Sequence, residues 1–191
     1  MSAASTHPPR PDRLVRAAVL LVPLLLLLGA VGCGDDDDPV APRQPAVREP
    51  VARFSVRNGT QLDPLGSSGI FDDGQDDAML EFPIDFGTAA RVTAEFAVSD
   101  FIYSSADPFA AFEVSVYAAN GVPDAGDYGA GTRAGLFALA PGGRDTFSLD
   151  VTGVVADLQA SGTTHLGLRF SDSTYFQLSV RQEGSQLTAE Y

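Results

Sequence analysis

From Val51 onward, apolar residues recur at every second position, the period of half-buried β-strands rather than of helices. The stretch "VARFSVR" places Ala52, Phe54 and Val56 on one face and closes on Asn58-Gly59, a pair suited to a tight hairpin turn. "MLEFPIDF" sets Leu80, Phe82, Ile84 and Phe86 against Met79, Glu81, Pro83 and Asp85, and Pro83 predicts an edge strand or a bulge. "RVTAEFAV" turns Val92, Ala94, Phe96 and Val98 inward, and "FEVSVYA" does so with Phe112, Val114 and Val116 before Asn120-Gly121. Further strands are expected in "GLFALA", "DTFSLDV", "THLGLRF", "YFQLSVR" and "QLTAEY". Turns are expected at Pro141-Gly142-Gly143, Ser171-Asp172-Ser173 and Glu183-Gly184-Ser185.

One segment departs from this period. In "DVTGVVADLQASG", Val151, Val154, Val155 and Leu158 fall at helical spacing, Asp150 or Thr152 can cap the start, and Gly162 can end it. Short alternating strands with one helical crossover define an all-β fold, an antiparallel β-sandwich of jelly-roll type with one short crossover helix. Residues 51–191 are long enough to bury a core of their own.

The first 50 residues follow different rules. Arg10, Arg13 and Arg16 precede "AAVLLVPLLLLLGAV", an apolar run from Ala17 to Val31 interrupted by Pro23. At about 1.5 Å rise per residue this run falls short of the roughly 20 residues that span a hydrocarbon core, so residues 1–32 read as an export signal. It ends in Ala30-Val31-Gly32-Cys33, which contains the only cysteine of the chain. That ending resembles the lipobox of bacterial lipoproteins. The resemblance implies cleavage before Cys33, a diacylglyceryl thioether on its sulfur and acylation, as by palmitate, of the new N-terminus. Two or more acyl chains anchor stably where one is marginal. The following "GDDDDPVAPRQPAVREP" has no apolar period and reads as an extended tether, so 33–50 is expected to be a disordered linker. Gly34 lacks the aspartate that marks inner-membrane retention in some lipoproteins, which favours the outer membrane and leaves its face open.

Composition narrows the partners. Beyond Cys33 the chain carries 24 acidic residues against nine arginines, with no lysine. Such a balance opposes nucleic-acid backbones. A single cysteine and the single histidine of the mature part, His165, leave no Cys/His zinc cluster. His165 falls on an outward position beside Leu166, and Ser161-Gly162 is a helix end rather than a nucleophile turn. There is no Gly-x-Ser-x-Gly elbow, His-Glu-x-x-His helix or phosphate-binding glycine loop.

A second resemblance covers residues 76–191. "TFSLDVTGVVADLQASGTTHLGLRF", "VSVYAANGVPDAGDYGAG" and the closing "QLTAEY" resemble jelly-roll domains of bacterial surface proteins related to the DNRLRE and carbohydrate-binding-module type. In that family a strand ends in Asp-Val-Thr, as at Asp150-Val151-Thr152, and a short helix follows. The resemblance implies a non-catalytic domain. The absence of tryptophan departs from the usual sugar-stacking platform.

Two sets of side chains are candidates for binding. Asp72, Asp73, Asp76 and Asp77 in "IFDDGQDDAM", with Asp124 and Asp127 in "PDAGDYG", are hard oxygen donors suited to a structural Ca²⁺, or else loop residues making Asx-turns. Tyr103, Phe109, Tyr117, Tyr128 and Tyr175 fall in loops or on outward strand positions. Tyr117 and Tyr175 could form a stacking face for a polysaccharide, or the aromatics could cover sheet edges. The expected function is therefore non-catalytic binding of a glycan or similar extracellular ligand by a lipid-anchored domain. The alternative is contact with another envelope protein through an edge strand or an apolar patch.

Overall fold

The computed structural model of the chain describes residues 43–63, 70–71, 76–102, 110–140, 142–172 and 177–191. Eleven strands occur among them: β1 (Ala46–Arg48), β2 (Ala52–Arg57), β3 (Gln61–Asp63), β4 (Ile70–Phe71), β5 (Asp76–Pro83), β6 (Arg91–Ile102), β7 (Ala110–Ala119), β8 (Thr132–Leu139), β9 (Arg144–Asp150), β10 (His165–Asp172) and β11 (Gln177–Glu190). One helix, α1 (Thr152–Ala160), joins β9 to β10.

All the pairings are antiparallel. One sheet runs β1-β11-β6-β9, with β4 also on β11, and the other runs β3-β2-β5-β10-β7-β8. Apart from the hairpins, consecutive strands alternate between the sheets, so that β1-β11-β6-β9 faces β5-β10-β7-β8. That order is the jelly-roll arrangement, and the β2–β3 hairpin widens its second sheet. The hairpin turns at Asn58 (φ 51°) and Gly59 (φ 69°), both left-handed as a type I′ turn requires.

Phenylalanines fill the space between the sheets. Phe96 meets Phe137 and Phe170 edge-on, each at a ring separation of 5.2 Å, and Phe112 stacks on Phe137 at 5.7 Å. Leu80, Phe82, Leu166 and Leu168 are fully buried beside them. Each such side chain contributes about 1.5–3 kcal/mol of burial.

The helix ends as its sequence predicts, but its N-cap is Val151, which makes no side-chain capping bond, rather than Asp150 or Thr152. Asp150 Oδ1 accepts from the Thr152 backbone N–H (3.0 Å) and hydroxyl (2.6 Å). At the other end Gly162 takes φ 80° and its N–H reaches the Gln159 carbonyl at 3.0 Å. Gln159 then reaches the carbonyls of Ile84 (2.8 Å) and Phe86 (2.6 Å), which fixes α1 over the end of β5.

Four other expectations need correction. The chain is already strand at Ala46–Arg48, paired with Leu187–Ala189 of β11, so the linker does not extend to residue 50. Pro83 lies on a central strand, but as its last residue, beyond the final β2 partner at Glu81, where no ladder bond on that side is needed. Glu183-Gly184-Ser185 is no hairpin turn but a bulge inside the continuous β11, between Arg181↔Ala97 and Gln186↔Glu95. The Ser185 hydroxyl takes the place of the missing backbone partner, accepting from Ala97 N–H at 3.0 Å. Finally, Ala52, Phe54 and Val56 do not face the main core. They join Met79, Tyr117 and Ala119 in a second apolar cluster, on the outer face of the six-stranded sheet.

Candidate functional site

That outer face is roofed by the connection between β7 and β8, residues 120–131, which includes a 3₁₀ turn at Ala125–Asp127. Ala125 and Ala130 of this loop pack on the second cluster. Beneath them lies a set of polar side chains, each set on the outer face by strand alternation: Asp77 and Glu81 of β5, Ser115 and Tyr117 of β7, and Arg169 of β10.

Gly167 is what makes the arrangement fit. It pairs with Glu81 on one side and Tyr117 on the other. A Cβ there would lie 2.1 Å from the Tyr117 ring, so the phenol lies across the glycine to reach Glu81. The Tyr117 hydroxyl donates to Glu81 Oε1 at 3.0 Å, and the Gly121 N–H donates to Oε2 at 2.7 Å. Asp127 approaches the same carboxyl from the loop, side chain to side chain.

Burial is the main cause that pushes Glu81 up to about 7, with the Asp127 charge adding to it against the Tyr117 and Gly121 hydrogen bonds. Asp127 is also raised, first by burial and then by the charge of Asp124. The Tyr117 hydroxyl is raised too, by burial and then by the Glu81 charge, so it remains a donor. Two residues along β10 from Gly167, Arg169 clamps the other end of the loop. It donates to the Ala130 carbonyl (2.8 Å), Asp77 Oδ2 (3.0 Å) and Ser115 Oγ (3.1 Å), while Gly129 N–H adds a bond to Asp77 (3.1 Å). The phenol proton and the guanidinium are both committed, and the cluster's free chemical capacity is to take up or release a proton.

The sequence-predicted residues are dispersed. Tyr117 does point away from the inter-sheet core, as its register predicts, but it is 6% exposed beneath the loop, so it presents no stacking face. Tyr128 is half-exposed and lies over the β2–β3 turn, its Cδ1 3.0 Å from where a Gly59 Cβ would be. Tyr103, Phe109 and Tyr175 lie outside the described residues, as do Asp72, Asp73 and Cys33.

Asp76 and Asp77 form no joint oxygen set. Each is buried on β5 and bonded to its own arginine, Asp76 to Arg57 and Asp77 to Arg169, both at 3.0 Å. Asp124 caps the 3₁₀ turn through the Gly126 N–H (2.8 Å), and Asp127 turns inward to Glu81. No three His, Cys, Asp or Glu residues among those described lie close enough together to hold a metal ion. His165 packs its ring on Gly121 and contacts Thr164 Oγ1 at 2.9 Å.

Sequence reasoning missed Glu81, Gly167 and Arg169. The signals were a glutamate amid "MLEFP" and a glycine in mid-strand in "HLGLRF", the latter a mark of close approach by another group.

A groove of about 480 Å³ opens beside this cluster, between α1 and the end of β7. Val116, Ala118, Ala130, Val154 and Leu158 give it an apolar lining, and Asp157 adds a carboxylate.

No family model matches the chain, and no curated protein matches it. Among solved structures it is similar to "Structure of infectious bursal disease virus Gx strain", at 14% identity and a TM-score of 0.30. The match covers 83% of this chain and 37% of that one, so the chain spans little more than a third of that protein's length. The strand order itself makes this chain an antiparallel β-sandwich of jelly-roll form.

Proposed function

We propose that the chain is a lipid-anchored envelope protein, held through acylated Cys33 in the outer membrane, whose sandwich binds a glycan or similar extracellular ligand without altering it chemically. The observation that carries the binding reading is the groove between α1 and β7. Its volume of about 480 Å³ lies within the range of small-ligand sites, and its apolar walls with a single carboxylate suit the C–H face and hydroxyls of a sugar ring. The tyrosine platform is not needed for this reading. Val154 and Leu158 would cover the ring face, and Asp157 would accept from a hydroxyl.

The test is titration of the full chain, in detergent, against a panel of soluble polysaccharides, alongside Leu158→Arg. The reading predicts saturable binding to at least one polymer, weakened at least tenfold in Leu158→Arg with melting unchanged. No binding across the panel, or equal binding by a folded Leu158→Arg protein, overturns it.

One observation favours a second reading, a protein partner at a sheet edge. β8 borders the six-stranded sheet, its one charged residue is Arg133, and Leu136 is 61% exposed on it. Edges of this kind invite pairing with another strand. Cross-linking at residue 136 to another envelope protein, without any polysaccharide binding, would select this reading.

A further inference from the structure

The loop above Glu81 is closed by a contact that needs a proton. Glu81 is fully buried, and both of its oxygens already accept bonds from Tyr117 and Gly121. Asp127 Oδ2 is buried with no hydrogen-bond partner among the described residues, and the Asp127 carboxyl lies beside that of Glu81. Two carboxyl groups can hydrogen-bond only when one of them is protonated. We infer that Glu81 and Asp127 share one proton as a latch that holds the 120–131 loop over the outer face of the six-stranded sheet, and that loss of this proton releases the loop.

The other charged and titratable groups around the pair are accounted for element by element. From β5 comes Asp77 and from β10 Arg169, which bond to each other. β10 also supplies His165, packed on Gly121. β7 supplies Tyr117, whose proton stays on its oxygen. The loop supplies Asp124, whose negative charge opposes ionisation of Asp127. Opposite Glu81 on β2 stands Ala52, which carries no charge. Arg169 holds the far end of the loop, with its hydrogen bonds committed to Ala130, Asp77 and Ser115.

The sign follows from linkage. The closed state holds the Glu81 proton up to about 7, whereas a solvated glutamate releases it near 4.5. Closure is therefore fully favoured below the lower value and weakens as pH rises through the interval, levelling above 7. The opening constant should rise roughly tenfold per pH unit across that window. Opening would uncover Phe54, Val56, Met79 and Ala119, an apolar surface suited to contacts that the closed form withholds. The latch also frames one wall of the groove, since Ala130 belongs to the same loop.

Hydrogen exchange on the full chain, in detergent, tests this between pH 5 and 8, with rates corrected for intrinsic base catalysis. The amides of Gly121, Gly129 and Ala130 should lose roughly a hundredfold in protection between pH 5 and pH 7 and little more above it, while amides of β10 stay constant. Glu81→Gln keeps a neutral donor to Asp127 at every pH and should abolish the slope. Asp127→Asn leaves Glu81 buried but removes the shared proton, so it should make the slope shallower, and it serves if Glu81→Gln does not fold. His165→Gln should retain the slope. Constant protection in the wild type, a slope that survives in a folded Glu81→Gln protein, an unchanged slope in Asp127→Asn, or a slope that disappears with His165→Gln overturns the latch.

Discussion

Arg169 binds three chain segments through one guanidinium: the loop at Ala130, β5 at Asp77 and β7 at Ser115. The side chains of Arg169 and Asp77 are 14% and 8% exposed, so removing either one strands a buried charge. Arg169→Ala should therefore lower unfolding free energy by about 3–5 kcal/mol, read by urea titration. Replacing the pair together, as Arg169→Met with Asp77→Leu, should recover most of that loss, because no uncompensated charge then remains. If the double variant is as unstable as Arg169→Ala, the guanidinium acts through the Ala130 and Ser115 bonds rather than through the ion pair. The sequence showed this cluster only in outline. Strand alternation set Glu81 on the face opposite Leu80 and Phe82 and Tyr117 on an outward position, which is correct. It could not show that a loop of alanines and glycines would fold back and bury them.

Elements were more legible than their neighbours in space. The predicted helix runs from Thr152 to Ala160: Asp150 braces its first residue from one position before the Val151 N-cap and Gly162 terminates it, both local signals. Gly162 offers a clean check on the second. Its φ is 80° and nothing lies within 4 Å of where a Cβ would sit, so Gly162→Ala brings only the backbone cost of a left-handed residue. That cost is about 1–2 kcal/mol, measurable as a shift in urea midpoint at unchanged slope. No change in midpoint would mean that residue 162 does not hold a left-handed backbone in the folded chain. Where a strand is buried on both faces, alternation fails as a guide. β5 buries Met79 and Glu81 as completely as Leu80 and Phe82, and the pattern alone marks only one of those faces as core. The β11 bulge was missed for a related reason. Gly184 and Ser185 look like a hairpin turn, and only the Ala97 partner across the sheet shows that the strand continues.

At the scale of the molecule, the anchor and the sandwich are separate physical problems. The sandwich is stabilised by apolar burial between its sheets and on one outer face. No helix among the described residues is long and apolar enough to cross a bilayer. The proposed attachment rests on a single sulfur, that of Cys33, behind an apolar run that the sequence makes too short to span. Acyl chains contribute about 0.8 kcal/mol per buried CH₂, and two or more of them hold a protein of this size at a membrane surface. The direct measurement is mass spectrometry of the N-terminal peptide from the membrane fraction, with Cys33→Ser in parallel. The account predicts a peptide beginning at Cys33 and carrying a diacylglyceryl group, and a Cys33→Ser chain that lacks this modification. A membrane-fraction chain whose Cys33 sulfur bears no lipid would contradict it.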